Sequence, residues 1–161
     1  MNTDALFSTG KDDWETPKSL FEKLNREFMF TLDPCSTDKN AKTSRHYTEK
    51  NDGLTKDWGQ AKVFVNPPYS SGKQDAWVKK CYEESLKPLT TVVALLPART
   101  DTARFRNYIL GKAEIRFIRG RVVFELNGKP VLDKKGRPQS APFPSMLVIW
   151  KNHLELTEAV K

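Results

Sequence analysis

Apolar positions along the chain fall into two periodicities. Leu20, Phe21, Leu24 and Phe28 recur at helical spacing and predict a helix that starts after Thr16, with Thr16 as its cap and Pro17 at the first helical position. A short strand from Met29 to Asp33 follows and is closed by Asp33-Pro34. From Cys35 to Ala61 the chain is polar and reads as long loops. Lys62 to Asn66 is a second strand, stopped by Pro67-Pro68, and Gln74 to Leu86 carries Trp77, Val78, Cys81 and Tyr82 in a helical pattern. Thr91 to Leu96 is a near-continuous apolar run of strand length, as expected of a strand covered on both faces. A helix over 102–110, strands at Glu114–Ile118, Arg121–Leu126 and Ser145–Trp150, and an exposed loop or hairpin over 127–144 complete the pattern.

Strands alternating with helices and ending in a cluster of strands predict an α/β sheet, mostly parallel, with an antiparallel C-terminal edge. No internal repeat or domain-sized linker interrupts it. Residues 14–150 therefore read as a single domain, flanked by a flexible N-terminus at 1–13 and a C-terminal tail at 151–161. Open α/β sheets bind ligands beyond the C-terminal ends of their strands. Two strands here end in unusual chemistry, at Asp33-Pro34-Cys35 and at Asn66-Pro67-Pro68-Tyr69. Function is to be sought there.

Composition narrows the class. The 161 residues suffice for one domain with a substantial core, and 38% apolar content argues against disorder. A formal net charge of +7 favours a polyanionic partner, because a basic surface releases counterions from phosphates. Two cysteines and two histidines offer no disulfide framework and no zinc-ligand spacing, so no metal is expected. The absence of a signal-like segment or a bilayer-length apolar run predicts a soluble, cytoplasmic protein without membrane attachment.

The tetrapeptide Asn66-Pro67-Pro68-Tyr69 suits one kind of chemistry. Two prolines with fixed φ make a stiff turn. Such a turn can hold the Asn66 side-chain carbonyl and the Pro67 backbone carbonyl as two fixed acceptors beside the flat ring of Tyr69. An exocyclic amino group offers two N–H donors and a lone pair delocalised into its ring. Acceptors that grip both donors favour a pyramidal nitrogen and free the lone pair to attack an electrophilic methyl. A base in a duplex reaches such a site only by flipping out of the stack, and an aromatic platform offsets part of that cost.

Further blocks accompany the tetrapeptide in order: Trp14-Glu15-Thr16-Pro17, Phe30 to Cys35, Leu95 to Asp101, Gly120 to Phe124 and Ala141 to Ser145. Together, across most of residues 14 to 150, they resemble the small phage- and prophage-type DNA N6-adenine methyltransferases. The resemblance implies a Rossmann-like methyltransferase sheet, S-adenosyl-L-methionine as cofactor, double-stranded DNA as partner, and a phage or prophage product at work in a bacterial host cell. It assigns catalysis to Asn66, Pro67, Pro68 and Tyr69, and cofactor binding to Trp14, Thr16, Pro17, Asp33, Pro34 and Cys35. The chain departs from the broader class in one respect: Pro34-Cys35-Ser36-Thr37 lacks the usual glycine-rich turn after the first strand. No clear second strand supplies an acid for the cofactor's ribose.

Arg99 and Arg104 follow an apolar strand, Arg119 and Arg121 flank a glycine, and Lys134 and Lys135 sit on the polar loop with Lys129 and Arg137. These cations are candidate phosphate contacts, which position a duplex without reading it. The tetrapeptide alone is equally compatible with cytosine N4, RNA adenine or a protein glutamine as the methylated group. A non-catalytic DNA-binding relative is the alternative from another class.

Overall fold

The computed structural model describes residues 14–152. In chain order these form α1 (Lys18–Phe28), a 3-10 turn at Gly53–Thr55, β1 (Lys62–Val65), α2 (Ser71–Ser85), β2 (Thr91–Pro97), α3 (Ala103–Tyr108), β3 (Glu114–Phe117), a hairpin of β4 (Glu125–Leu126) and β5 (Lys129–Pro130), and β6 (Ser145–Lys151). The expected flexible stretch at 1–13 and the tail from 153 onward lie outside the described residues. Lys151 closes β6 and so belongs to the sheet.

Every residue of β2 is buried, as its apolar run requires. The sheet has the order β1-β2-β6-β3. β1 and β2 pair in parallel, whereas β6 is antiparallel to β2 along its whole length and antiparallel to β3. Thus β1, β2 and β3 share one direction and β6 alone opposes it. Beyond β1, parallel bridges join Leu32 to Val63 and Asp33 to His46.

This corrects the mostly parallel sheet with an antiparallel C-terminal edge. The C-terminal strand is interior, both of its pairings are antiparallel, and β3 forms the edge. Burial explains the exchange. Ser145 to Trp150 is buried on both faces, which fits an inner strand, whereas β3 alternates Glu114 and Arg116 with apolar residues. Charged side chains are a common means of protecting a sheet edge.

The sheet separates two apolar layers. On one face Val63, Val65, Val92, Ala94, Leu96, Met146, Val148 and Trp150 meet α2 and α3 through Trp77, Val78, Cys81, Phe105 and Ile109. On the other, Phe64, Val93, Leu95, Leu147 and Ile149 meet Phe21, Leu24 and Phe28 of α1, together with Trp14, Val122, Phe124, Val131, Ala141 and Phe143. The second layer contains few regular elements, so its aromatic side chains hold it together.

Local chemistry moves several expected boundaries. α1 starts at Lys18, with Pro17 extended before it and no cap from Thr16. The Glu125 carboxylate from β4 takes that place and accepts the Lys18 N–H at 2.9 Å. Met29 is left-handed at φ 55 and ends the helix, while Asn25 Oδ1 takes the Phe30 N–H. The strand expected over Met29–Asp33 therefore shrinks to the bridges at Leu32 and Asp33. α2 begins at Ser71, earlier than Gln74, directly after the Pro-Pro turn. Arg121–Leu126 is strand only at Glu125–Leu126. Val122 and Phe124 are still buried, and their carbonyls accept from Ala141 and Val131.

Candidate active site

Asn66 leaves the end of β1 at the point where the proline pair stops the strand. Its amide is fixed from two sides. Nδ2 donates to the Trp14 carbonyl at 2.8 Å, and Oδ1 accepts from the Tyr69 hydroxyl at 2.8 Å. A primary amide in such a pair of bonds has one orientation, with its oxygen on the Tyr69 side. Behind the turn, the fully buried Gln74 donates to the Pro68 carbonyl at 3.4 Å.

The Tyr69 ring lies 5.5 Å from Phe124 and 5.4 Å from Phe143. Burial pushes its hydroxyl well above the usual phenol range, with a smaller contribution from Cys35. Tyr69 therefore remains a protonated donor to Asn66. The exposed Arg99 guanidinium stands 5.9 Å above the Phe143 ring. The Ala98 N–H donates to the Pro144 carbonyl at 2.8 Å and ties the end of β2 to the same segment.

The upstream segment is sewn to the hairpin. Glu15 and Glu125 exchange backbone hydrogen bonds at 2.9 and 3.0 Å, and Glu15 Oε1 accepts the Gly128 N–H at 3.1 Å. The residue before Glu15 supplies the carbonyl that orients Asn66. Segments far apart in the chain thus meet here: Glu125 and Gly128 hold Glu15, and Trp14 holds Asn66. Trp14 and Thr16 are buried here, and the Thr16 hydroxyl has no hydrogen-bond partner among the described residues.

Asp33 lies beside Asn66's strand through the Leu32–Val63 bridge. Its carboxylate accepts the Cys35 N–H at 3.3 Å and the Lys42 N–H at 2.9 Å, which folds the 34–42 loop back over it. Burial raises its pKa against the lowering effect of these two bonds. Residues 45–47 run alongside and bond both backbone groups of Asp33. The Lys42 ammonium sits 5.8 Å over Phe21, so the loop also touches α1. Outside it, His46 Nε2 pairs with Asp38 at 2.8 Å, and that hydrogen bond holds the imidazole pKa above its ordinary value.

Gly53 stands at the turn that follows Asp33. A Cβ there would lie 2.1 Å from the Pro34 carbonyl oxygen and 3.1 Å from Trp77 Cη2. The close approach expected of a glycine-rich turn is therefore supplied by one glycine from a later loop, whose carbonyl also accepts the Trp58 indole N–H at 3.0 Å. Sequence reading missed Gly53 because no glycine follows the strand itself. Gly53→Ala is expected to destabilise the fold by about 1–3 kcal/mol through overpacking. A urea titration reads this as a lower midpoint, and an unchanged midpoint would count against the close approach.

The basic residues separate into two groups. Arg104 is buried and paired with Asp75 at 2.9 Å across α2 and α3, at a cavity of about 270 Å³ lined also by Lys79, Asn107 and Tyr108. Arg99, Arg119, Arg121, Lys134 and Lys135 are exposed. Lys134 and Lys135 occupy a turn held by Asp133, which accepts the Lys135 and Arg137 N–H groups and pairs with the Arg137 side chain. Among the described residues no group of three His, Cys, Asp or Glu is placed to hold a metal ion, and no helix is long and apolar enough to cross a membrane.

A family model described as DNA N-6-adenine-methyltransferase (Dam) matches residues 4–160. A DNA N-6-adenine-methyltransferase of Escherichia phage T1 is 30% identical over 120 residues, which cover 73% of this chain and 49% of that protein. Another DNA N-6-adenine-methyltransferase, of Haemophilus phage HP1 (strain HP1c1), is 29% identical over 133 residues, which cover 80% of this chain and 76% of that protein. The chain spans about half the length of the phage T1 relative. With a match across nearly its whole length, the chain belongs to the DNA N-6-adenine-methyltransferase (Dam) family.

Proposed function

We propose that this protein methylates the exocyclic N6 amino group of adenine in double-stranded DNA, with S-adenosylmethionine as methyl donor. One observation carries the reading: the Asn66 amide is locked by Trp14 and Tyr69 with its oxygen on the side of the Tyr69 ring. The relatives' shared name supports adenine as the target and DNA as the carrier. The direction of β1, β2 and β3, opposed only by β6, supports a Rossmann-like sheet for a single methyltransferase domain.

The residues suit the cofactor. Thr16 presents a buried hydroxyl without a partner among the described residues, the kind of group a polar ligand completes. Trp14, Thr16 and Pro17 would form one wall, and the Asp33-Pro34-Cys35 turn, braced by Gly53, the other. Asp33 holds that turn in shape through its bonds to Cys35 and Lys42. When bound, the cofactor supplies a methyl on a sulfonium sulfur, electrophilic enough to need no covalent help from the protein.

The protein's part is positioning and electrostatics. Asn66 Oδ1 and the Pro67 carbonyl accept the two amino N–H bonds and turn the nitrogen lone pair toward the methyl. Tyr69 supports the flipped base through its ring. As the nitrogen–carbon bond forms and the methyl–sulfur bond breaks, with the bonding pair left on sulfur as a neutral thioether, the same two acceptors would stabilise the positive nitrogen until one proton leaves to solvent. Arg99, Arg119, Arg121, Lys134 and Lys135 would meet phosphates, while Arg104 joins α2 to α3. The setting is the cytoplasm of a bacterial host, with the protein a phage or prophage product.

The test is incubation with unmethylated duplex DNA and S-adenosylmethionine labelled in its methyl group, followed by digestion to nucleosides and separation by mass. Labelled N6-methyladenine is the expected product. Label on cytosine, or none in DNA while the cofactor still binds, would overturn the reading.

A further inference from the structure

We infer that the Ser145 hydroxyl contacts the ring edge of the flipped adenine and helps the site select a purine, an inference that rests on the adenine methylation proposed above. Buried polar groups in folded proteins are almost always hydrogen-bonded, and exceptions call for a physical reason. Four buried side-chain atoms lack a hydrogen-bond partner among the described residues: Thr16 Oγ1, Glu84 Oε2, Gln139 Oε1 and Ser145 Oγ. The Glu84 oxygen faces the Lys87 ammonium in an ion pair. The other three lie on the segments that frame the tetrapeptide.

Ser145 is the most informative of them. It is 1% exposed, and it opens β6. Burial alternates along its approach: Ala141, Phe143 and Ser145 are buried while Ser140 and Pro144 are exposed. Leu147 and Ile149 belong to the layer that holds Phe124 and Phe143, with Tyr69 packed against it. Side chains two apart on a strand share a face, so Ser145 points into that layer. Phe143, two residues earlier, is the ring that lies 5.4 Å from Tyr69.

The register places the hydroxyl relative to the chemistry. Ser145 pairs with Pro97 at the end of β2, and β2 neighbours β1, which leads into Asn66. Ser145 is thus two inter-strand spacings, about 10 Å, from the strand of Asn66. Asp33 lies on the other side of β1, through the Leu32–Val63 bridge, so the expected cofactor turn is on the far side of Asn66. A base held by its amino group at Asn66 and lying on Tyr69 extends its rings toward Ser145. A hydroxyl there donates to a ring nitrogen of the purine, N7 or N3. A pyrimidine gripped by the same amino group has no second ring to supply N7. Where adenine has N3 it carries its glycosidic nitrogen, which has no free lone pair to accept, so the hydroxyl stays buried and unpaired.

The test compares wild-type protein and Ser145→Ala on duplexes that carry adenine, 7-deazaadenine or 3-deazaadenine at the target, and reads kcat/KM. The variant is expected to lose roughly ten- to a hundred-fold on adenine. Wild type is expected to lose a similar factor on one of the two analogues, and on that analogue the variant loses nothing further, because both changes delete the same bond. The variant also keeps its affinity for S-adenosylmethionine and melts at the same or a higher temperature, since a buried unpaired hydroxyl has gone. Losses that multiply on both analogues, or weakened cofactor affinity, would overturn the inference. If wild type fails to methylate adenine at all, the proposed activity falls and the role of Ser145 falls with it. Transfer without coupling removes Ser145 alone.

Discussion

Asn66→Ala is expected to lower the turnover of adenine methylation by about 10²–10³-fold, the usual cost of deleting one preorganised group at a charge-developing atom. The size follows from what the residue would do at each stage of the proposed transfer. In the ground state the amino group is neutral, and one hydrogen bond to it is worth little more than the bond to water it replaces. As the nitrogen takes the methyl it becomes positive, and an acceptor already fixed in place stabilises that charge without reorganising. The Trp14 carbonyl and the Tyr69 hydroxyl hold the amide in place. The loss should therefore appear in kcat, with S-adenosylmethionine affinity little changed. Stability is expected to fall by about 1–3 kcal/mol, for the missing bonds to the Trp14 carbonyl and from the Tyr69 hydroxyl. Single-turnover methylation, read beside calorimetric binding of the cofactor, separates these effects. Near-normal turnover in Asn66→Ala would remove the tetrapeptide from the mechanism. Asn66→Asp refines the point, because it sets a carboxylate oxygen against the Trp14 carbonyl in place of an N–H donor. Its activity should fall even though an acceptor remains.

The same residues mark how far the sequence could be read. Asn66 to Tyr69 was legible because the constraint is local: two fixed prolines, an amide and a ring, directly after an apolar strand. β2 was legible because seven successive buried positions admit little else. What stayed hidden depends on partners distant in the chain. Nothing near Asn66 announces that the Trp14 carbonyl will orient it, and nothing near Lys18 announces a helix cap from Glu125. Gly53 resembles any loop glycine until the Pro34 carbonyl is set against it. The place of β6 is ambiguous in sequence for a related reason. Its apolar run fits either an inner strand or a covered edge, and only the charged pattern of β3 shows which of the two takes the outside. Phe143 and Ser145 lie in one of the blocks that carry the family resemblance, yet the contact of Phe143 with Tyr69 emerges only when the extended segment folds against the tetrapeptide.

The second large effect concerns DNA affinity and is best read from its salt dependence. Replacing Arg119, Arg121, Lys134 and Lys135 together by alanine is expected to flatten the slope of log K against log salt by about 0.9 for each phosphate no longer neutralised, or about 3–4 in all. At about 0.1 M salt this weakens binding severely, whereas kcat on saturating DNA should change little, because none of the four touches the tetrapeptide. All four are exposed, and the two lysines sit on a turn whose backbone is held by Asp133. Removing their charges therefore leaves the fold in place. Arg104→Ala is the informative contrast. Its guanidinium is already committed to Asp75, and its stem is buried between α2 and α3. It should leave the salt slope untouched and cost about 1–3 kcal/mol of stability through the missing hydrogen bond and packing. Fluorescence anisotropy with a labelled duplex at several salt concentrations distinguishes the two classes. An unchanged slope in the fourfold variant would move the phosphate contacts elsewhere on the surface. A flattened slope in Arg104→Ala would mean that the α2–α3 pair opens to meet DNA.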